Sequence, residues 1–152
     1  MVSKVLSRLK YMRMKIQYLL QKRHHMKPFK LGFFGECIAA KYLWKNKGMR
    51  ILVRNWRHGR DEVDLVCMDD EVLVFVEVKT RTDAAIGTGY FAVDRRKKRA
   101  LLRACRRYIS HLKLTPPHFR FDIVEVISGI GKVPLVNHHV NVKLFSRHYH
   151  GH

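Results

Sequence analysis

The stretch VDLVCMDDEVLVFVEVKTR, residues 63–81, decides the fold. A run of Val, Leu and Phe suited to a core strand ends in Glu77 and Lys79, two residues that are costly to bury. Residues 62–68 and 72–79 read as two strands joined at Asp69-Asp70-Glu71. A two-residue turn on Asp70 and Glu71 sets Asp64 opposite Glu77 and Glu62 opposite Lys79. All four then project from one face, because strand side chains alternate. The other face pairs Val63 with Val78, Leu65 with Val76 and Cys67 with Val74, an ordinary core.

Two facing carboxylates repel, more so when half-buried. Lys79 offsets part of that charge, and a divalent metal is the usual remainder. Carboxylate oxygens suit a hard cation such as Mg²⁺ or Mn²⁺. The alternative is a cross-strand salt-bridge cluster with no metal, and these four residues alone leave the two readings level. Glu36 tips the balance. In the helix read over residues 32–48 it shares a stripe with Ala39, Ala40 and Leu43, so a carboxylate sits on the face that packs against the sheet. A buried, unpaired Glu is expensive, and a nearby metal cluster would give it a partner. The alternative is a place in the first helical turn, where the dipole favours an acid, an explanation that is weaker once the hairpin is taken with it.

Around this centre, residues 49–55 read as a strand and residues 80–91 as a loop. Residues 93–114 read as a helix with an apolar stripe of Leu101, Ala104, Cys105, Tyr108 and Leu112, closed by Pro116 and Pro117. Residues 118–126 read as a strand, and residues 140–145 as one more. Residues 1–30 carry nine Lys or Arg and no acid. Val5, Leu9, Met12, Ile16 and Leu19 keep helical spacing there, so residues 1–30 are expected to be a basic amphipathic extension, and residues 31–152 the domain.

The chain has 152 residues and a formal net charge of +19, from 31 Lys and Arg against 12 Asp and Glu. Such an excess points to a polyanion, nucleic acid first and an anionic membrane surface second. Arg95, Arg96, Lys97, Lys98, Arg99 and Arg103 lie opposite the apolar stripe of the second helix and could track a phosphate backbone. Arg54 and Arg57 could add contacts, and Trp56 either stacks on a base or caps the core. Nothing resembles a base-reading helix, so weakly specific or structure-dependent binding is expected, to DNA before RNA. Cys37, Cys67 and Cys105 lie far apart, as reduced buried thiols of a cytoplasmic protein do. No apolar run reaches the ~20 residues of a membrane span. The clustered histidines, HYHGH at residues 148–152 included, have no spacing of a known zinc site.

GECIAAKYL, ILVRNWR, DEVDLV, VFVEVKTR, GYFAVDRRKKRALLRACRRYI and RFDIVEV together resemble the YraN family, restriction-endonuclease-like proteins of the PD-(D/E)xK nuclease superfamily. The resemblance covers residues 32–145. It implies an α/β restriction-endonuclease-like core, a central mixed sheet flanked by helices in the order αβββαβ. It implies a metal-dependent nuclease that hydrolyses phosphodiester bonds. Asp64, Glu77 and the Val78 carbonyl would hold Mg²⁺ or Mn²⁺, Lys79 would be the catalytic lysine and Glu36 the helical acid. Arg120 and Asp122 match the family's RFD motif in a structural role. Asp61 stands where the family usually has Gly. The competing expectation is a silent nucleic-acid-binding module on the same fold. A nuclease of this size often works on duplexes as a homodimer, which makes a second copy a further candidate partner.

Overall fold

The computed structural model describes residues 28–82, 95–114, 116–128 and 133–144. The basic N-terminal arm up to residue 27 and residues 83–94, which take in most of the loop expected over residues 80–91, lie outside the described residues. The elements run α1 (Pro28–Lys47), β1 (Arg50–His58), β2 (Asp61–Asp69), β3 (Val72–Thr82), α2 (Arg95–Ser110), β4 (His118–Ser128) and β5 (Leu135–His139). This is an α/β fold with a five-stranded mixed sheet in the order β1-β2-β3-β4-β5. β3 and β4 are parallel, joined across α2, and the other neighbours are antiparallel.

The helices cover opposite faces of the sheet. Ala39, Ala40 and Leu43 of α1 pack on Leu65, Cys67, Val74, Val76, Val124 and Val126. Leu101, Ala104, Cys105, Tyr108 and Ile109 of α2 pack on Val63, Val66, Leu73, Phe75, Phe121 and Ile123. Each fully buried aliphatic side chain contributes about 1.5–3 kcal/mol, so two such layers are what a sheet buried on both faces needs. α1 begins at Pro28, ahead of the boundary expected at residue 31, and proline suits a first helical turn, so Glu36 lies beyond the first turn and the dipole does not explain it. It stops at Gly48, whose φ of +71° is left-handed, and the Met49 N–H turns back to the Leu43 carbonyl at 3.0 Å. α2 is shorter than residues 93–114. It ends at Ser110, and His111 and Leu112 bond the Tyr108 and Ile109 carbonyls in a tighter last turn.

The hairpin turns where the sequence places it. Asp69 pairs with Val72, Cys67 with Val74 and Leu65 with Val76, around Asp70 at φ +48°. Two other expectations are corrected. First, the β2–β3 pairing ends at Leu65–Val76, so Glu62 does not face Lys79. From there β2 stays on β1 as far as Asp61, and β3 stays on β4 as far as Thr82. The sheet forks. Glu62 pairs with Arg57 across β1, their charges 2.9 Å apart. Second, Val63 does not share a face with Leu65. It packs with Trp56 on the α2 side, whereas Leu65 and Val78 pack on the α1 side. The break in β2 lies opposite Asn55 of β1, which stands between the pairs Arg54–Leu65 and Trp56–Val63 with φ +51° and breaks the alternation of its own strand.

The last strand is also displaced. It occupies Leu135–His139 rather than residues 140–145, of which residue 145 lies outside the described residues. Asn141 has φ +56°, its N–H donates to Asp122 Oδ1 at 2.9 Å, and the Val142 N–H reaches the Phe121 carbonyl. A chain turned this way cannot continue a ladder. Arg120 bonds both Asp122 and Asp69, and His138 Nε2 lies 2.9 Å from Asp122 Oδ2. The Arg–Asp pair expected at the foot of β4 is therefore present, with Asp122 0% exposed and the Arg120 side chain 16% exposed. All three cysteines are free and buried. Burial, then the charge of Asp122, pushes the Cys67 thiol up to about 12.

Candidate active site

Asp64 and Glu77 stand at the fork, where β2 and β3 part. Asp64 leans across the gap, and its Oδ2 accepts the Val78 N–H at 2.7 Å. This bond replaces the ladder that ends one residue earlier, and it fixes Asp64 against the backbone beside Glu77. Glu77 is enclosed, its side chain 4% exposed. Its Oε1 accepts a hydrogen bond from Lys79 at 2.8 Å, and Lys97 of α2 makes an ion pair to the same oxygen at 3.1 Å. Its Oε2 is buried with no hydrogen-bond partner.

The acids act on one another. Burial first, then the charges of Glu77 and Glu36, raise the Asp64 carboxyl above its usual range. The Val78 amide and Lys97 pull the other way without prevailing. An enclosed carboxylate oxygen with nothing to accept, beside a second acid reluctant to ionise, is an arrangement that a hard cation relieves. The residues present therefore fit Mg²⁺ or Mn²⁺ by their chemistry. Among the described residues, no group of three or more Asp, Glu, His or Cys forms a ready metal cage.

Glu36 reaches this point from the other face. Its stripe-mates Ala39, Ala40 and Leu43 are buried, as the helical spacing requires. Just before Glu36, Gly35 brings α1 against β3: a Cβ there would overlap Thr80 Oγ1 and lie 2.9 Å from Thr80 Cβ. Glu36 Oε2 accepts a bond from Asn55 Nδ2 at 2.7 Å. Asn55 is thus both the residue that turns β1 over and the one that holds the helical acid. The sequence offered one signal for it, the tolerance of Asn for left-handed backbone.

The basic residues separate into two groups. Arg54 donates to Cys37 Sγ at 3.2 Å, Arg57 pairs with Glu62, and Arg103 makes a two-pronged bond to Asp61 at 2.8 Å. Asp61, the departure from the family pattern, has Arg103 as its counter-charge. That hydrogen bond, against slight burial, lowers the Asp61 carboxyl. Arg95, Arg96 and Arg99 are exposed on α2, and Arg95, Lys98 and Arg99 line an open hollow of about 410 Å³ with Leu102 and Leu144. Trp56 caps the core edge-on to Tyr108, with its other side stacked on His58. No helix among the described residues is long and apolar enough to cross a membrane.

The sequence signature of the uncharacterised protein family UPF0102 matches residues 35–126. A UPF0102 protein of Chlorobium limicola is 40% identical over 101 residues, covering 66% of this chain and 78% of that one. One from Symbiobacterium thermophilum is 45% identical over 100 residues, 66% of this chain and 84% of that one. One from Syntrophomonas wolfei is 44% identical over 114 residues, 73% of this chain and 95% of that one. The matched region holds Glu36, Asp64, Glu77, Lys79 and Lys97, and the chain belongs to the uncharacterised protein family UPF0102, the YraN family that its motifs resemble.

Proposed function

We propose that the protein is a metal-dependent nuclease that hydrolyses phosphodiester bonds in DNA, with structure-dependent or weak sequence preference. The observation that carries this reading is the pairing at the fork: Asp64 beside Glu77, with Lys79 on one Glu77 oxygen and the other oxygen buried and unsatisfied. Asp64, Glu77 and the Val78 carbonyl would hold the Mg²⁺ or Mn²⁺. Such an ion supplies Lewis-acid polarisation of a phosphate oxygen and a more acidic bound water.

The rest falls to the chain's own groups. Water adds to phosphorus, one P–O bond breaks, and the leaving oxygen departs as a hydroxyl. Lys79, held by Glu77, orients that water or offsets the charge gathered on the phosphoryl oxygens. Glu36 adds negative charge that tightens the hold on a cation, and Asn55 fixes its carboxylate. The exposed cations of α2 bring the phosphate backbone to the fork. A non-catalytic nucleic-acid-binding module is the second reading, favoured by the absence of a ready three-ligand cage among the described residues.

The test is cleavage at low salt of duplex, single-stranded and four-way-junction DNA and of an RNA, with Mg²⁺, Mn²⁺ or EDTA. Metal-dependent cutting by the wild type, lost in Asp64→Ala and Lys79→Ala, is the expected result. Salt-sensitive binding with no cutting under any metal would favour the binding module.

A further inference from the structure

α2 starts with Arg95, Arg96 and Lys97 and has no acid in its first turn. Cations at a helix N-terminus oppose the dipole, each costing a few tenths of a kcal/mol. Lys97 carries this cost while reaching Glu77, which already holds Lys79 by a shorter bond. One acid oxygen therefore faces two ammonium groups from two different elements. At the fork three carboxylates, Glu36, Asp64 and Glu77, stand near two ammonium groups, Lys79 and Lys97, and both ammonium groups rest on Glu77. A divalent cation on Asp64 and Glu77 would take over the neutralisation of Glu77 and remove the reason for both lysines to stay on it. Of the two, Lys97 has the longer pair and is the more exposed, and it sits on the helix that presents Arg95 and Arg99 to solvent.

We propose that Lys97 is the substrate-binding lysine of the site, resting on Glu77 in the free protein and contacting the phosphate at the fork when nucleic acid is bound. This rests on the reading of the fork as a place where a nucleic-acid phosphate is handled. It separates Lys97 from Lys98 and Arg99, which line the open hollow with Leu102 and Leu144 away from Glu77. A lysine that only neutralises Glu77 would change stability and nothing else, whereas a phosphate contact adds a released counterion to binding.

The experiment measures the affinity of the full chain for a fluorescent duplex across a salt series. Ca²⁺ is present to occupy the acids, and the wild type is compared with Lys97→Met, Lys97→Arg and Lys45→Met. Lys45, on the outer surface of α1, controls for general charge. The expected result is a slope of log affinity against log salt that falls by about one in Lys97→Met, is restored in Lys97→Arg and is unmoved in Lys45→Met. Cleavage by Lys97→Met in Mg²⁺ drops roughly 10-fold or more. An unchanged slope in Lys97→Met, with a wild-type circular dichroism spectrum, overturns the role of Lys97 even if the wild type cuts. A wild type that binds but never cuts sinks the nuclease reading and still lets the slope decide Lys97. A wild type without salt-dependent binding overturns both.

Discussion

Gly35 of α1 and Thr80 of β3 touch so closely that a Cβ on Gly35 would overlap Thr80 Oγ1. The contact sits one residue from Glu36 and one from Lys79, so it sets how near the helical acid comes to the fork. Gly35→Ala is expected to destabilise the protein by about 1–2 kcal/mol, the overpacking cost exceeding the gain in helix propensity. Thr80→Ala in the same chain should recover part of the loss. Urea unfolding of the two single variants and the double variant gives the coupling, and additive effects would show that the contact does not constrain α1.

Asp64→Asn should separate stability from activity. It keeps an oxygen for the Val78 N–H but removes the charge that faces Glu77 and Glu36. In metal-free buffer at neutral pH the melting temperature should rise by about 2–4 °C. Metal-dependent cleavage should disappear. A lower melting temperature would mean that Asp64 is already compensated in the free protein. Added Mn²⁺ should raise the melting temperature of the wild type and not that of Asp64→Asn.

The cluster under β4 predicts the acid limit of the fold. Burial pushes the Asp122 carboxyl up, but bonds from His138, Arg120 and the Asn141 N–H outweigh it, and the net shift is below the usual value of 3.8. A lowered acid contributes stability that is present above its unfolded value and is lost as pH falls through the folded one. The urea midpoint should therefore fall steeply below about pH 4. Asp122→Asn should be less stable at neutral pH and lose part of that steepness. A wild-type midpoint that is flat from pH 5 to 3 would contradict the assignment.

Arginines already held by acids should matter less for nucleic acid than open ones. Arg99→Ala is expected to weaken duplex binding and lower the salt slope by about one. Arg57→Ala, whose guanidinium is on Glu62, should move the slope much less. Equal effects from both would mean that the Arg57–Glu62 pair opens on binding.

Much of this was legible in local pattern. Asp70-Glu71 and two-residue alternation gave the register from Leu65–Val76 to Asp69–Val72, and helical spacing put Glu36 over buried Ala39, Ala40 and Leu43. What stayed hidden depends on distant partners. The fork exists because β1 and β4 compete with the hairpin for β2 and β3, which no window of residues 63–81 contains. Lys97 looked like one more cation in a basic run, since only the β3–α2–β4 crossover brings it to Glu77. Residues 140–145 alternate like a strand, but Asn141 is spent on Asp122, and the less strand-like LVNHH pairs with β4 instead.

The fork also gives the sheet a mechanical character. Asp64 rides on the blade formed by β1 and β2, and Glu77 rides on the blade formed by β3 and β4, with Leu65–Val76 as the pivot between them. Arg103 and Asp61 latch the tip of the first blade to α2. The gap between the two acids is therefore an angle as much as a distance. Whatever grips the β1–β2 tip has leverage on the grip of Asp64 and Glu77 at the pivot.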